Sequence, residues 1–275
     1  MKTSLQHIQR VVKADHKIFL LDKKSNIKEL GLDKHEVEIA KTFIKSDIKS
    51  FQIPSANSVS TFITIESDGK TAKEKEAIRK LGHGVLASLS KNKIAEACVL
   101  NATPSSANMY LFLEGMMLGN YEFSYYKKEN KKGATRLKTI KVLEKDLSKT
   151  DLKLLQATAE TIYMVRDWVN EPVNHLNAIQ LAEKITEAGS KAGFETTVFN
   201  KAKLVELGFG GLLSVNQGSV DEPTFSILTY KPENAINKQP IVFVGKGVVY
   251  DTGGLSLKPT TNSMDSMKSD MAGAA

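Results

Sequence analysis

A chain of 275 residues that is 41% hydrophobic and 25% charged has the composition of an ordinary globular protein and is longer than one compact domain usually runs. That composition excludes a disordered or fibrous polypeptide, and one cysteine, Cys98, excludes both an intramolecular disulfide and a cysteine-based zinc cluster and fits a reducing compartment. The net charge of +7 is spread along the sequence, and its densest run, Lys127, Lys128, Lys131 and Lys132, is interleaved with Glu129 and Asn130, so it reads as a solvated face and a nucleic-acid partner is not expected.

The N-terminal stretch carries Lys2, Arg10, Lys13, Asp15 and Lys17 without an apolar run of signal-peptide length. No later segment approaches the roughly 20 apolar residues of a membrane span. The expectation is a cytoplasmic protein without a membrane partner. Residues 18–21 then read as a strand, 35–48 as an amphipathic helix, 59–65 as a strand and 72–89 as a helix. Residues 94–100 form another apolar strand, after which Ser105 or Ser106 can cap a helix running to about Gly119. Strands alternating with helices predict an α/β layered domain with a largely parallel sheet. The polar stretch 121–133 reads as an exposed loop before a strand over 137–143.

Ser148 or Thr150 can cap a long helix over 151–169, in which Leu152, Leu155, Ala159, Ile162 and Val165 recur at helical spacing. It stops at Asn170-Glu171-Pro172, where the proline restricts the residue before it. The organisation expected is a first domain over residues 1–150, a connecting helix over 151–169 and a second domain over 170–275. In that second domain Asn177 caps a helix to about Ala192, residues 195–199 read as a strand and 201–207 as a short helix ended by Gly208. Three apolar strands follow at 212–215, 225–230 and 241–244, again an α/β pattern.

The stretch with chemical content is 244–258, followed by 264–270, and it opens at the carboxyl end of an apolar strand, where open α/β sheets place their ligand crevices. Gly245-Lys246-Gly247 does not make a phosphate loop: the required upstream glycine is Pro240 here, and the Ser or Thr that should follow the lysine is Gly247. What remains is Lys246, Asp251, Lys258 and Asp270 among glycines that let backbone approach a ligand closely. Carboxylates are ordinary ligands of divalent zinc, manganese or magnesium. A lysine can join them only as the neutral amine, whereas a second, charged lysine can stabilise an oxyanion. Spacing alone equally allows a glycine-rich turn with ordinary surface charges. The histidines, His7, His16, His35, His83 and His175, show no ligand spacing; Cys98 reads as a packed thiol, and neither Ser219 nor Ser256 has a nucleophile-elbow context.

Residues 244–270 resemble the signature of the leucine aminopeptidase (cytosol aminopeptidase) family. The resemblance continues upstream in Arg166-Asp167-Trp168-Val169-Asn170-Glu171-Pro172-Val173-Asn174 and in the stretch from Leu207 to Ser219. It implies a truncated α/β metallopeptidase catalytic domain over 170–275, preceded by a macro-like α/β N-terminal domain. It also implies two divalent metal ions, zinc or manganese, with Lys246, Asp251 and Asp270 as metal ligands, Asp251 bridging, and Lys258 as the electrophilic catalyst. Met267 falls on a residue that in the family lines the pocket for the substrate's first side chain, although a methionine near a helix start is more often core. Lys258 and Asp270 stand one residue further apart than in the commoner family form, with Ser263 as the extra residue, so the loop between them is expected to bulge. The resemblance further implies peptide substrates with N-terminal leucine or similar residues, and a homo-hexamer for the full-length protein. The family's Asn-Thr-Asp-Ala-Glu-Gly-Arg segment is not among residues 1–275, so this chain is expected to be inactive alone. The alternative is a noncatalytic binding or assembly module built on the N-terminal domain.

Overall fold

The computed structural model describes residues 3–9, 16–23, 25–30, 32–46, 48–54, 58–67, 69–126, 137–143 and 147–275, and they fall into two compact units, Met1–Tyr163 and Met164–Ala275. The basic run at Lys127, Lys128, Lys131 and Lys132 lies outside the described residues, as do Lys2, Arg10, Lys13 and Asp15. The boundary between the units falls inside one long helix.

The first unit is organised by a strand buried on both faces. Strands β1 (Ser4–His7) and β2 (His16–Leu21) are followed by helix α1 (Lys34–Lys45), strands β3 (Ser50–Pro54) and β4 (Val59–Thr64), and helix α2 (Ala72–Lys91). Then come β5 (Glu96–Asn101), α3 (Ser106–Gly119), β6 (Thr139–Leu143) and α4 (Lys149–Asn170). The six strands form one sheet in the order β1-β6-β5-β2-β4-β3, parallel except for the β3–β4 pair. Ile18, Phe19, Leu20 and Leu21 of the central strand β2 are all fully buried. Because side chains alternate across a strand, Ile18 and Leu20 enter the core with residues of α2, α3 and α4, while Phe19 and Leu21 enter the core on the other face with Ala40 of α1. This is the layered arrangement that a continuous apolar run in a parallel sheet demands.

The helices start where side chains can satisfy their free N–H groups. Asp33 with Glu36, and Thr71 with Glu74, form reciprocal capping boxes, and Ser105 Oγ accepts from the Asn108 amide. Among the described residues no helix is long and apolar enough to cross a membrane.

In the second unit, α5 (Ala178–Ala192) starts at a capping box of Asn177 with Gln180 and ends at Gly193, whose φ of 78° lies in the left-handed region. Strand β7 (Glu195–Phe199), helices α6 (Lys201–Glu206) and α7 (Gly210–Asn216), strand β8 (Phe225–Thr229) and the five-residue helix α8 (Met264–Lys268) follow, with β7 and β8 forming an antiparallel pair. Two expectations are corrected here. Residues 212–215 are not a strand but part of α7, in which the Leu213 amide donates to the Phe209 carbonyl; a short apolar run fits either element, and the chain has just been turned by Gly208 at φ 73°. Residues 241–244 have strand composition but pair with no strand among the described residues, and Phe243 and Val244 are each 92% exposed.

His16, at the start of β2, is completely buried, and its Nε2 lies 3.0 Å from Thr61 Oγ1. Its Nδ1 has no hydrogen-bond partner among the described residues, so a second ring proton would be stranded. Burial therefore lowers its pKa from 6.5 to about 4. The unfolded chain binds this proton more readily than the folded one, so stability falls as pH drops from about 6.5 towards 4. At about 1.4 kcal/mol per pKa unit the loss is at most about 3 kcal/mol. Thermal melts between pH 7.5 and pH 4.5 should show this slope, and His16→Gln, which keeps a polar atom towards Thr61, should flatten it.

Candidate metal centre

The site is assembled within the second unit by a tight loop, a short helical turn and the hydrophobic cluster beneath that turn. In the loop, Gly253 adopts φ 90°, a conformation open to glycine at little cost, and its amide donates to Asp251 Oδ1 at 2.9 Å. The Lys258 amide donates to the Thr252 carbonyl at 2.9 Å, which closes the loop on itself. The result is a 2.9 Å ion pair between Lys258 Nζ and Asp251 Oδ2. Ahead of the turn, Asn262 has a φ of 61° and Ser263 Oγ donates to the Pro259 carbonyl.

Asp270 belongs to a 3-10 turn, Ser269–Met271, that continues α8. The Asp251 amide donates to the Met267 carbonyl at 3.1 Å, so the same helical segment bears one carboxylate and holds the backbone of the other. Gly245 backs onto this segment so closely that a Cβ there would lie 2.2 Å from the Gly273 carbonyl oxygen. That approach sets Lys246 Nζ 3.0 Å from Asp270 Oδ2 and 3.9 Å from Asp251 Oδ2. Beneath the turn, Met271 is 1% exposed and packs with Trp168, Leu176, Leu181 and Ile185.

The charges are mutually supporting. Lys258, hydrogen-bonded to Asp251, and then the Gly253 amide pull the Asp251 pKa down to about 2. Lys246 is raised above its ordinary value by its contact with the Asp270 carboxylate and by that group's charge. Asp270 Oδ2 is a buried oxygen with no aligned hydrogen-bond donor; Lys246 reaches it as a close ion pair, off the angle a hydrogen bond needs.

These residues fit a divalent cation in kind. Carboxylate oxygens are suitable donors, and one of them is buried without an aligned partner. Among the described residues no three His, Cys, Asp or Glu side chains converge; Lys246, whose Nζ lies beside both carboxylates, can serve as a further donor only after a cation displaces its proton. The structure thus brings Lys246, Asp251, Lys258 and Asp270 together. Met267 meets them through its backbone carbonyl, while its side chain is 2% exposed. Sequence reasoning misses the backing of Gly245 by Gly273 and the place of Lys268, whose Nζ points to the Trp168 carbonyl at 3.5 Å. The one signal available was that Lys268 stands between Met267 and Asp270.

Fold and site define an α/β protein with a lysine–carboxylate centre suited in type to a divalent cation. Residues 163–275 match the sequence model of the cytosol aminopeptidase family, catalytic domain. A probable cytosol aminopeptidase of Chlorobaculum tepidum is 61% identical over 110 residues, covering 40% of this chain and 21% of the relative. Another, from Chloroherpeton thalassium, is 44% identical over 180 residues, covering 59% of this chain and 35% of the relative. The chain therefore spans well under half the length of these curated relatives. Among solved structures, the bottromycin maturation enzyme BotP in complex with Mn is 25% identical, with a TM-score of 0.72 over 95% of this chain and 54% of that one.

The close backing of Gly245 yields a prediction about assembly of the site. Gly245→Ala forces backbone against backbone and should destabilise the second unit by about 1–3 kcal/mol. Denaturant melts of the variant beside wild type measure this, and an unchanged midpoint would show that the two segments are not held as described.

Proposed function

We propose that the protein is a metal-dependent aminopeptidase that releases N-terminal leucine and similar apolar residues from peptides. The observation carrying this reading is the pairing of two carboxylates, Asp251 and Asp270, with two lysines around a buried carboxylate oxygen that lacks an aligned donor. The family match over residues 163–275 and the likeness to a protein solved with Mn support it.

Lys246, Asp251 and Asp270 would hold two divalent ions, zinc or manganese, with Asp251 shared between them. When bound, such ions polarise a peptide carbonyl and make a water nucleophilic at neutral pH. Lys258 contributes a charge that can be redirected: its ammonium is paired with Asp251 at 2.9 Å, and once cations share that carboxylate it is available to the oxygen that becomes negative at the scissile carbonyl. For Met267 the proposed role is to line the pocket for the first side chain, which at 2% exposure requires its present cover to open. One amine and two carboxylates are fewer donors than two ions at about four positions each require. Residues 1–275 alone are accordingly proposed to be inactive, with less than about a tenth of the leucine-anilide turnover of a full-length relative in excess manganese or zinc. A homo-hexamer of the full-length protein, a cytoplasmic location and a macro-like first domain are further proposals that rest on the resemblance.

In a full-length, catalytically competent form, Asp251→Ala should lose metal and activity together. Lys258→Ala should lower turnover by about 100-fold while keeping its metal, because its charge acts mainly on the transition state. Lys246→Arg keeps the charge but has no neutral amine to offer, so it should lose tight metal binding. Metal content by atomic emission and kcat with a leucine anilide read all three variants. If Lys258→Ala were as metal-free as Asp251→Ala, the division of roles would be wrong; a wild type that binds no metal and cleaves no peptide would favour the noncatalytic module.

A further inference from the structure

The segment that carries Asp270 is too short to hold itself. A five-residue helix followed by a single 3-10 turn does not offset its own ordering cost, so tertiary contacts must fix it. Met267 and Met271, one helical turn apart and 2% and 1% exposed, sink one face of the segment into its surroundings. Apolar contacts are not directional: they set how deep the segment sits but only loosely how far it is rotated about its axis. Rotation matters here, since the Met267 carbonyl must meet the Asp251 amide while the Asp270 carboxylate meets Lys246.

On the same face lies Lys268, the neighbour of Met267 and three residues before Met271. Its stem is partly buried, and its Nζ points to the carbonyl of Trp168 in the last turn of α4, where a helix concentrates partial negative charge. The Glu171 carboxylate, just beyond that helix end and 3.6 Å from Lys184, acts on the same ammonium. A cation with a carbonyl acceptor at the end of a long helix, and a carboxylate charge nearby, supplies the directional contact that the two methionines lack.

We propose that Lys268 is a positioning residue: through the Trp168 carbonyl, with the Glu171 charge favouring its ammonium there, it sets the rotation of the turn, and so the placing of Asp270 and the backbone of Asp251. Its bearing on metal binding rests on the function proposed above, but its bearing on the geometry does not. The test uses the 275-residue chain with Lys268→Met, Lys268→Arg and Glu171→Gln. Two readouts are taken: hydrogen exchange of the Asp251 amide by NMR, and Mn2+ binding by titration followed with electron paramagnetic resonance.

Lys268→Met should speed exchange at Asp251 by about tenfold and weaken Mn2+ binding by about tenfold relative to wild type, with amides in the middle of α5 protected as before. Lys268→Arg should restore both to within about threefold, which a loss of simple packing would not predict. Glu171→Gln should move both readouts in the direction of Lys268→Met. Unchanged exchange at Asp251 in folded Lys268→Met overturns the proposal, as does an arginine variant as impaired as the methionine one. If Lys268→Met does not fold, Glu171→Gln decides: unchanged exchange at Asp251 there overturns it and faster exchange supports it. Wild type that binds no Mn2+ would show that residues 1–275 hold too few donors for the ion, and the exchange readout alone then decides on Lys268.

Discussion

Two ionised carboxylates drawn towards one point repel each other by about 4 kcal/mol at 4 Å and an effective dielectric of about 20, and a fold keeps both ionised there by supplying positive charge in the same place. In this protein that charge is built in as two lysines. Lys258 pairs with Asp251, and Lys246 pairs closely with Asp270 and more distantly with Asp251. The pairs are too open to solvent to contribute much stability. Their consequence is placement: Asp251 stays ionised down to a pKa of about 2, and Lys246 is held beside both carboxylates.

Three features of the second unit hold that arrangement in place. The left-handed Gly253 closes the loop that returns Lys258 to Asp251, and the Gly245–Gly273 approach brings Lys246 over Asp270. The cluster of Trp168, Leu176, Leu181, Ile185 and Met271 fixes the depth of the turn. The two units use apolar surface differently. The first buries both faces of β2, whereas the second leaves Phe243 and Val244 almost fully exposed, in a stretch without a strand partner among the described residues. Such a stretch is the kind of surface that pairs with other chains.

The elements that sequence reading finds are those whose signals are local. Capping residues at Ser105 and Asn177, apolar periodicity in the helices and the unbroken run through β2 each act within a few residues, and the structure has helices and a strand where they point. What it misses depends on distant partners. Strand β1, with the polar sequence Ser-Leu-Gln-His, exists because β6 pairs with it more than 130 residues later, from Ser4 to Thr139 onward. Residues 241–244 show the converse, a strand composition without a ladder to join. The site follows the same logic: the types and order of Lys246, Asp251, Lys258 and Asp270 are legible, but only the family resemblance lifted them above an ordinary glycine-rich turn. The contact of Lys268 with Trp168, 100 residues apart, has no signature in the sequence.

Diffraction from crystals grown with manganese or zinc shows whether Lys246, Asp251 and Asp270 hold a metal ion. The expected result is anomalous density within about 2.0–2.2 Å of carboxylate oxygens of Asp251 and Asp270, with Lys246 Nζ turned from its carboxylate pairing to the ion. Density confined to other sites, with the lysine–aspartate pairs intact in crystals that hold ample metal, would contradict it.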